Sequence, residues 1–104
     1  MATYWVTFRI ENQTIGGRTY DERYRGFQEA VRQRTTHWWV PPTSFIVFDS
    51  ESDIDTLCRY LQAPLSRAHD VFLIGMPDYK SARIFGVNSD RDIYKLMPFL
   101  KEAA

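Results

Sequence analysis

Tyr4-Trp5-Val6-Thr7-Phe8-Arg9-Ile10 alternates strictly. Tyr4, Val6, Phe8 and Ile10 fall on one face and Trp5, Thr7 and Arg9 on the other, the period of two that marks a strand, in residues suited to a pleated surface. The fully apolar face predicts a core. The second face carries a tryptophan beside an arginine and sets the main question about this chain. Next come Asn12-Gln13-Thr14-Ile15-Gly16-Gly17, turn residues that end the strand. Thr19 with Glu22 three positions on has the spacing of a capping box. Tyr20, Tyr24, Phe27 and Val31 then recur at helical spacing, predicting a helix from 20 to about 34 that leaves Arg23, Arg25, Glu29 and Arg32 for solvent.

Beyond His37-Trp38-Trp39-Val40, the pair Pro41-Pro42 cannot donate to a ladder, so Ser44-Phe45-Ile46-Val47-Phe48 reads as an edge strand. Ser50 or Ser52 is placed to cap a second helix with Ile54, Leu57, Cys58 and Leu61 on one side, and Pro64 discourages its extension. Val71 to Met76 is apolar on both faces. Pro77 to Lys80 reads as a turn and Ala82 to Val87 as the returning hairpin strand. Ser89 with Asp92 suggests a cap for a last helix bearing Ile93, Leu96, Met97 and Leu100, which Pro98 breaks or kinks near its end. The order is strand, helix, strand, helix, strand, strand and a C-terminal helix. It predicts one α+β domain over residues 1–104, a ferredoxin-like sandwich of βαββ type with an antiparallel sheet and the helices on one face.

Composition agrees with one small globular unit: 104 residues, 44% apolar and 15% aromatic. Thirteen basic residues balance thirteen acidic ones, so no global field draws the chain to nucleic acid or to an anionic membrane. Residues 1–37 hold six of the basic and four of the acidic groups, a local excess around the first helix. Cys58 is the only cysteine, which removes any intrachain disulfide and suits a reducing compartment; in an apolar helix it reads as a buried thiol. No run reaches the ~20 apolar residues of a membrane span, and the N-terminus lacks a basic segment followed by an apolar run. A soluble cytoplasmic protein is expected.

Tyr4-Trp5-Val6-Thr7-Phe8, the helix opening Thr19-Tyr20-Asp21, the Trp38-Trp39 pair, the Thr43-Ser44-Phe45-Ile46-Val47 strand and the short helix after Ser52 together resemble the SinR-like branch of the CRISPR-associated protein two family. The likeness spans residues 3 to 87. It implies a ferredoxin-like homodimer, related to nucleases that hold a divalent metal at the dimer cleft through an aspartate near the end of the first strand. The family pattern Tyr-Leu-Val-Thr-Tyr-Asp, laid on Tyr4 to Arg9, puts that aspartate at Arg9. A guanidinium cannot ligate magnesium, and two facing each other across a cleft would repel it. No catalytic residue and no cofactor are therefore assigned, and the reading leans away from an enzyme. Glu11 with Asp49 is the weak alternative for a relocated carboxylate site taking Mg2+ or Mn2+.

Arg9, Arg18, Arg23, Arg25 and Arg32 are candidates for phosphate contact, since a guanidinium forks onto phosphate oxygens. The plainer reading is a helix face laced by ion pairs, because Asp21, Glu22 and Glu29 interleave with them. Gly16-Gly17-Arg18 before a helix is either an anion cradle or simply a permissive turn. Trp5, Trp38, Trp39 and Phe45 are candidates for a dimer interface: with the helices on one side, the open face would carry Trp5 to water, and a second copy is the simplest cover. Neither His37 nor His69 has a nucleophile at a recognisable spacing, and Asp53, Asp55, Asp90 and Asp92 suit helix starts. The leading expectation is a non-catalytic homodimer of the SinR-like kind that contacts nucleic acid or a protein partner. A metal-dependent endoribonuclease or deoxyribonuclease, toxin-like, is the second, and a structural adaptor dimer the third.

Overall fold

The opening alternation becomes β1, Ala2–Arg9, in which Tyr4, Val6 and Phe8 are buried while Thr3, Thr7 and Arg9 are exposed. The computed structural model describes residues 1–104. After β1 come α1 (Tyr20–Arg32), β2 (Trp38–Trp39), β3 (Phe45–Ser50), α2 (Ile54–Gln62), β4 (Val71–Met76), β5 (Tyr79–Gly86), α3 (Ile93–Leu96) and β6 (Leu100–Glu102). The six strands form one mixed sheet in the order β2-β3-β1-β4-β5-β6. The molecule is α+β. No helix is long and apolar enough to cross a membrane.

Local signals hold where local physics decides. At the start of α1, Glu22 N–H donates to Thr19 Oγ1 at 3.1 Å and Thr19 N–H donates to Glu22 Oε1 at 3.0 Å, the full capping box. Ile54, Leu57, Cys58 and Leu61 are all buried on the inner side of α2. α1 and α2 lie on the sheet face that carries Tyr4, Val6 and Phe8, and Phe27 links the two layers. Its ring centroid lies 4.5 Å from Phe8 and 5.8 Å from Phe72, and Phe72 stacks on Phe85 at 5.1 Å. Such offset and tilted pairs add to what area burial alone contributes. Arg83 on β5 reaches Asp55 on α2, Nε to Oδ1 at 2.8 Å, and pins that helix to the far strands.

Several expectations need correction. The Ser44–Phe48 segment is not an edge strand, because β3 pairs with β1 on one side and with β2 on the other. The edge is β2 itself, and the two prolines fall in the loop behind it. The cap of α2 is neither serine: Asp53 accepts from Thr56 N–H at 2.8 Å. The last helix is only one turn, Ile93–Leu96, with Leu96 facing solvent. Leu100 leaves it to join β6, and β6 runs parallel to β5, so the sheet is not wholly antiparallel. Nor do all the helices share one face: Ile93, Tyr94 and Met97 pack with Ala82, Ile84 and Leu100 in a second cluster, on the side opposite α1 and α2.

Candidate functional site

Arg23 was expected in solvent and is fully buried. Its Nη2 donates to Asp70 Oδ1 at 3.0 Å and to Glu11 O at 2.7 Å, its Nη1 to Gln13 O at 2.6 Å and its Nε to Asp70 Oδ2 at 3.3 Å. Asp70, also fully buried, accepts in addition from Glu11 N–H at 2.9 Å and Ser66 N–H at 2.8 Å. Burial pushes the Asp70 carboxyl up. The Arg23 guanidinium and the two amides outweigh that and leave it below the usual range. Arg23 thus ties α1 to the end of β1 and the start of β4, and it presents nothing to a phosphate.

The other arginines do not form one surface. Arg9 is exposed at the end of β1 opposite Val71, on the face away from α1 and α2. Arg18 lies on the other layer, its Nη1 reaching Ala63 O at 3.4 Å. Arg25 pairs with Asp21 at 3.1 Å and Arg32 pairs with Glu29, all four side chains well exposed. Exposed pairs of this kind are screened by water, add little to stability and neutralise one another. Only Arg9 and Arg18 of the five candidates lack a carboxylate partner, and the sheet separates them. The Gly16-Gly17 pair sits inside a tight turn in which Ile15 and Arg18 exchange both backbone hydrogen bonds, at 2.9 and 3.0 Å. The Arg18 amide is therefore occupied rather than free for an anion.

The face opposite α1 and α2 is ruled by register, since directly paired residues point the same way. One row runs Trp39, Val47, Trp5, Gly75, Ala82; the next runs Phe45, Thr7, Leu73, Ile84. Trp39 is 52% exposed and meets Phe45 edge-on, with ring centroids 6.4 Å apart. Trp5, Phe45, Val47, Val71 and Leu73 are half-buried. Trp38 is the exception among the proposed contact residues. Paired with Phe48, it points to the helix side of the sheet edge and is 37% exposed.

Trp5 lies flat because Gly75 makes room: a Cβ at Gly75 would stand 2.5 Å from Trp5 Cζ2. Gly75→Ala is expected to lift the indole off the sheet at a cost of about 1–3 kcal/mol, seen as a red shift in tryptophan emission and a lower urea midpoint. An unchanged spectrum would show that the ring had another place to lie.

The two alternative carboxylates are far apart. Asp49 pairs with Thr3 near the start of β1, whereas Glu11 follows its other end. From Thr3 to Arg9 alone is about 20 Å at ~3.3 Å per residue, so the two cannot share an ion. Asp49 instead organises the loop before β2, accepting from Thr35 Oγ1 and from the Thr36 and His37 amides at 2.9–3.1 Å. The His37 amide first, then the Thr36 hydroxyl and amide, hold its carboxyl far below the usual range against its desolvation. No group of three or more histidine, cysteine or acidic side chains is placed to hold a metal. Cys58 is buried, and desolvation followed by the nearby Asp55 charge pushes its thiol up to about 12. It sits in the main core cluster as a packing residue.

No family model, no curated protein and no solved structure matches this chain.

Proposed function

We propose that this is a non-catalytic homodimeric protein of ferredoxin-like, SinR-like type, in which two copies bury their open sheet faces together. The topology supports the fold part of this reading. β1-α1-β2-β3-α2-β4 with neighbours in the order β2-β3-β1-β4 is the split βαβ plan, extended here by β5 and β6. The observation that carries the functional part is the apolar patch of Trp39, Val47, Trp5 and Phe45, on the part of this face that α3 does not cover. With a net charge of zero, no global repulsion opposes association. Arg9 in place of the family aspartate supports the non-catalytic part. Among the expected partners, the split arginine surface favours a protein over nucleic acid.

Sedimentation equilibrium tests it. The wild type is expected to dimerise in the micromolar range, and Trp39→Glu to weaken the dimer by about 30-fold or more, as loss of an aromatic anchor does. Arg25→Glu, on the helix layer, leaves it unchanged. A wild type that stays monomeric at hundreds of micromolar overturns the reading. So does metal-dependent cleavage of RNA or DNA that disappears in Glu11→Ala.

A further inference from the structure

A second site lies at the far edge of the sheet, beside α3, where β5 and β6 end. A cavity of about 110 Å³ there is lined by Arg67, Asn88, Arg91, Tyr94 and Glu102, together with Ile84 and Gly86. Each arginine lies over a ring: Arg67 Cζ is 4.6 Å from the Phe85 centroid and Arg91 Cζ is 4.5 Å from that of Tyr94. Stacking fixes the plane of a guanidinium and leaves its in-plane N–H groups free to donate. Arg67 uses one of them on Gln62 Oε1 at 3.0 Å, and neither arginine is within ion-pair distance of a carboxylate. Asn88 Nδ2 is shut off from solvent and donates to nothing. A donor left unpaired away from water is costly, so a ligand that brings an acceptor is favoured here.

We infer that this cavity binds a small tetrahedral oxyanion of the phosphate class, held by Arg67 and Arg91, with the Asn88 side chain turning its amide to the anion on binding. Two stacked guanidiniums offer donors to several oxygens at once, the turned amide adds another, and charge-assisted bonds from guanidiniums are the strong ones. Glu102 refines the choice. Its carboxylate repels a fully deprotonated anion and accepts from one that carries a proton. Hydrogen phosphate or a phosphate monoester monoanion can donate to it; sulfate cannot.

The test is a nitrogen-15 NMR titration with inorganic phosphate and, separately, sodium sulfate, at ionic strength held constant with chloride. Expected are saturable shifts at the Asn88 side-chain amide and the Arg67 and Arg91 Nε–H signals, with sulfate at least about tenfold weaker than phosphate. Asn88→Asp and Arg91→Ala should each weaken phosphate binding about tenfold or more while the rest of the spectrum shows the same fold. Glu102→Gln should abolish the preference for phosphate over sulfate. Non-saturating shifts, equal shifts at Arg25 and Arg32, or equal binding of the two anions by the wild type would each overturn the assignment.

Discussion

Asp70→Ala is expected to destabilise the protein by about 3–5 kcal/mol, enough to consume much of the stability of a domain this size. The reason is what remains. Arg23 stays buried with its charge unmatched, and the Glu11 and Ser66 amides lose the oxygens they donate to. Arg23→Met is expected to cost somewhat less, since those two amides still hold the Asp70 carboxylate, although the carbonyls of Glu11 and Gln13 lose their donors. The double variant should lose much less than the sum of the two single losses, because no buried charge is then left unpaired. Urea unfolding of the four proteins measures this directly. An Asp70→Ala protein within about 1 kcal/mol of wild type would show that the pair carries little net stability.

The same pair sets an acid dependence. The carboxyl of Asp70 is lowered in the folded state, so its contribution is complete above the unfolded value of about 3.9 and is lost as pH falls through the folded one. Wild-type stability should therefore fall below about pH 4 more steeply than that of Arg23→Met, in which the guanidinium that lowers the carboxyl is gone.

Legibility in the sequence follows the range of the interaction involved. The alternation of Tyr4 to Ile10, the Thr19/Glu22 box and the Ile54, Leu57, Cys58, Leu61 stripe are set by neighbours within a few residues, and each is realised where expected. Arg23 was missed although its position was informative. It stands three residues after Tyr20 and four before Phe27, inside the apolar stripe, and only its charge argued for solvent. Its partner is 47 residues away, and no local pattern announces a pairing at that distance. The parallel strand β6 failed for a similar reason. Ile93, Met97 and Leu100 fit a helical period, yet Pro98 intervenes and Leu100 is held by Ala82 and Ile84 on β5. The open face was legible from β1 alone, but its two rows needed the registers of β2, β3 and β4. The phosphate cavity had no sequence signal, since it joins the loop after α2, the end of β5, α3 and β6.

The second large effect is expected at Gly86, where Gly86→Ala should cost roughly 2–5 kcal/mol. Its φ of +94° is left-handed backbone that a side chain resists, and a Cβ would stand 1.9 Å from Asp70 O and 2.9 Å from Asp70 C. Those are backbone atoms, so no rotamer change relieves the overlap. Asp70 O cannot retreat freely, because it accepts from Val87 N–H at 3.0 Å and the same residue is anchored through its carboxylate to Arg23. Gly16 supplies the comparison. It too has a positive φ, +59°, but nothing lies within 4 Å of the position its Cβ would take, so Gly16→Ala carries the conformational strain alone, about 1–2 kcal/mol. Thermal and urea unfolding of the two variants therefore separate strain from collision. Equal losses at the two glycines would mean that β5 can slide away from Asp70, and that the buried ion pair does not hold this end of the sheet as tightly as its hydrogen bonds imply.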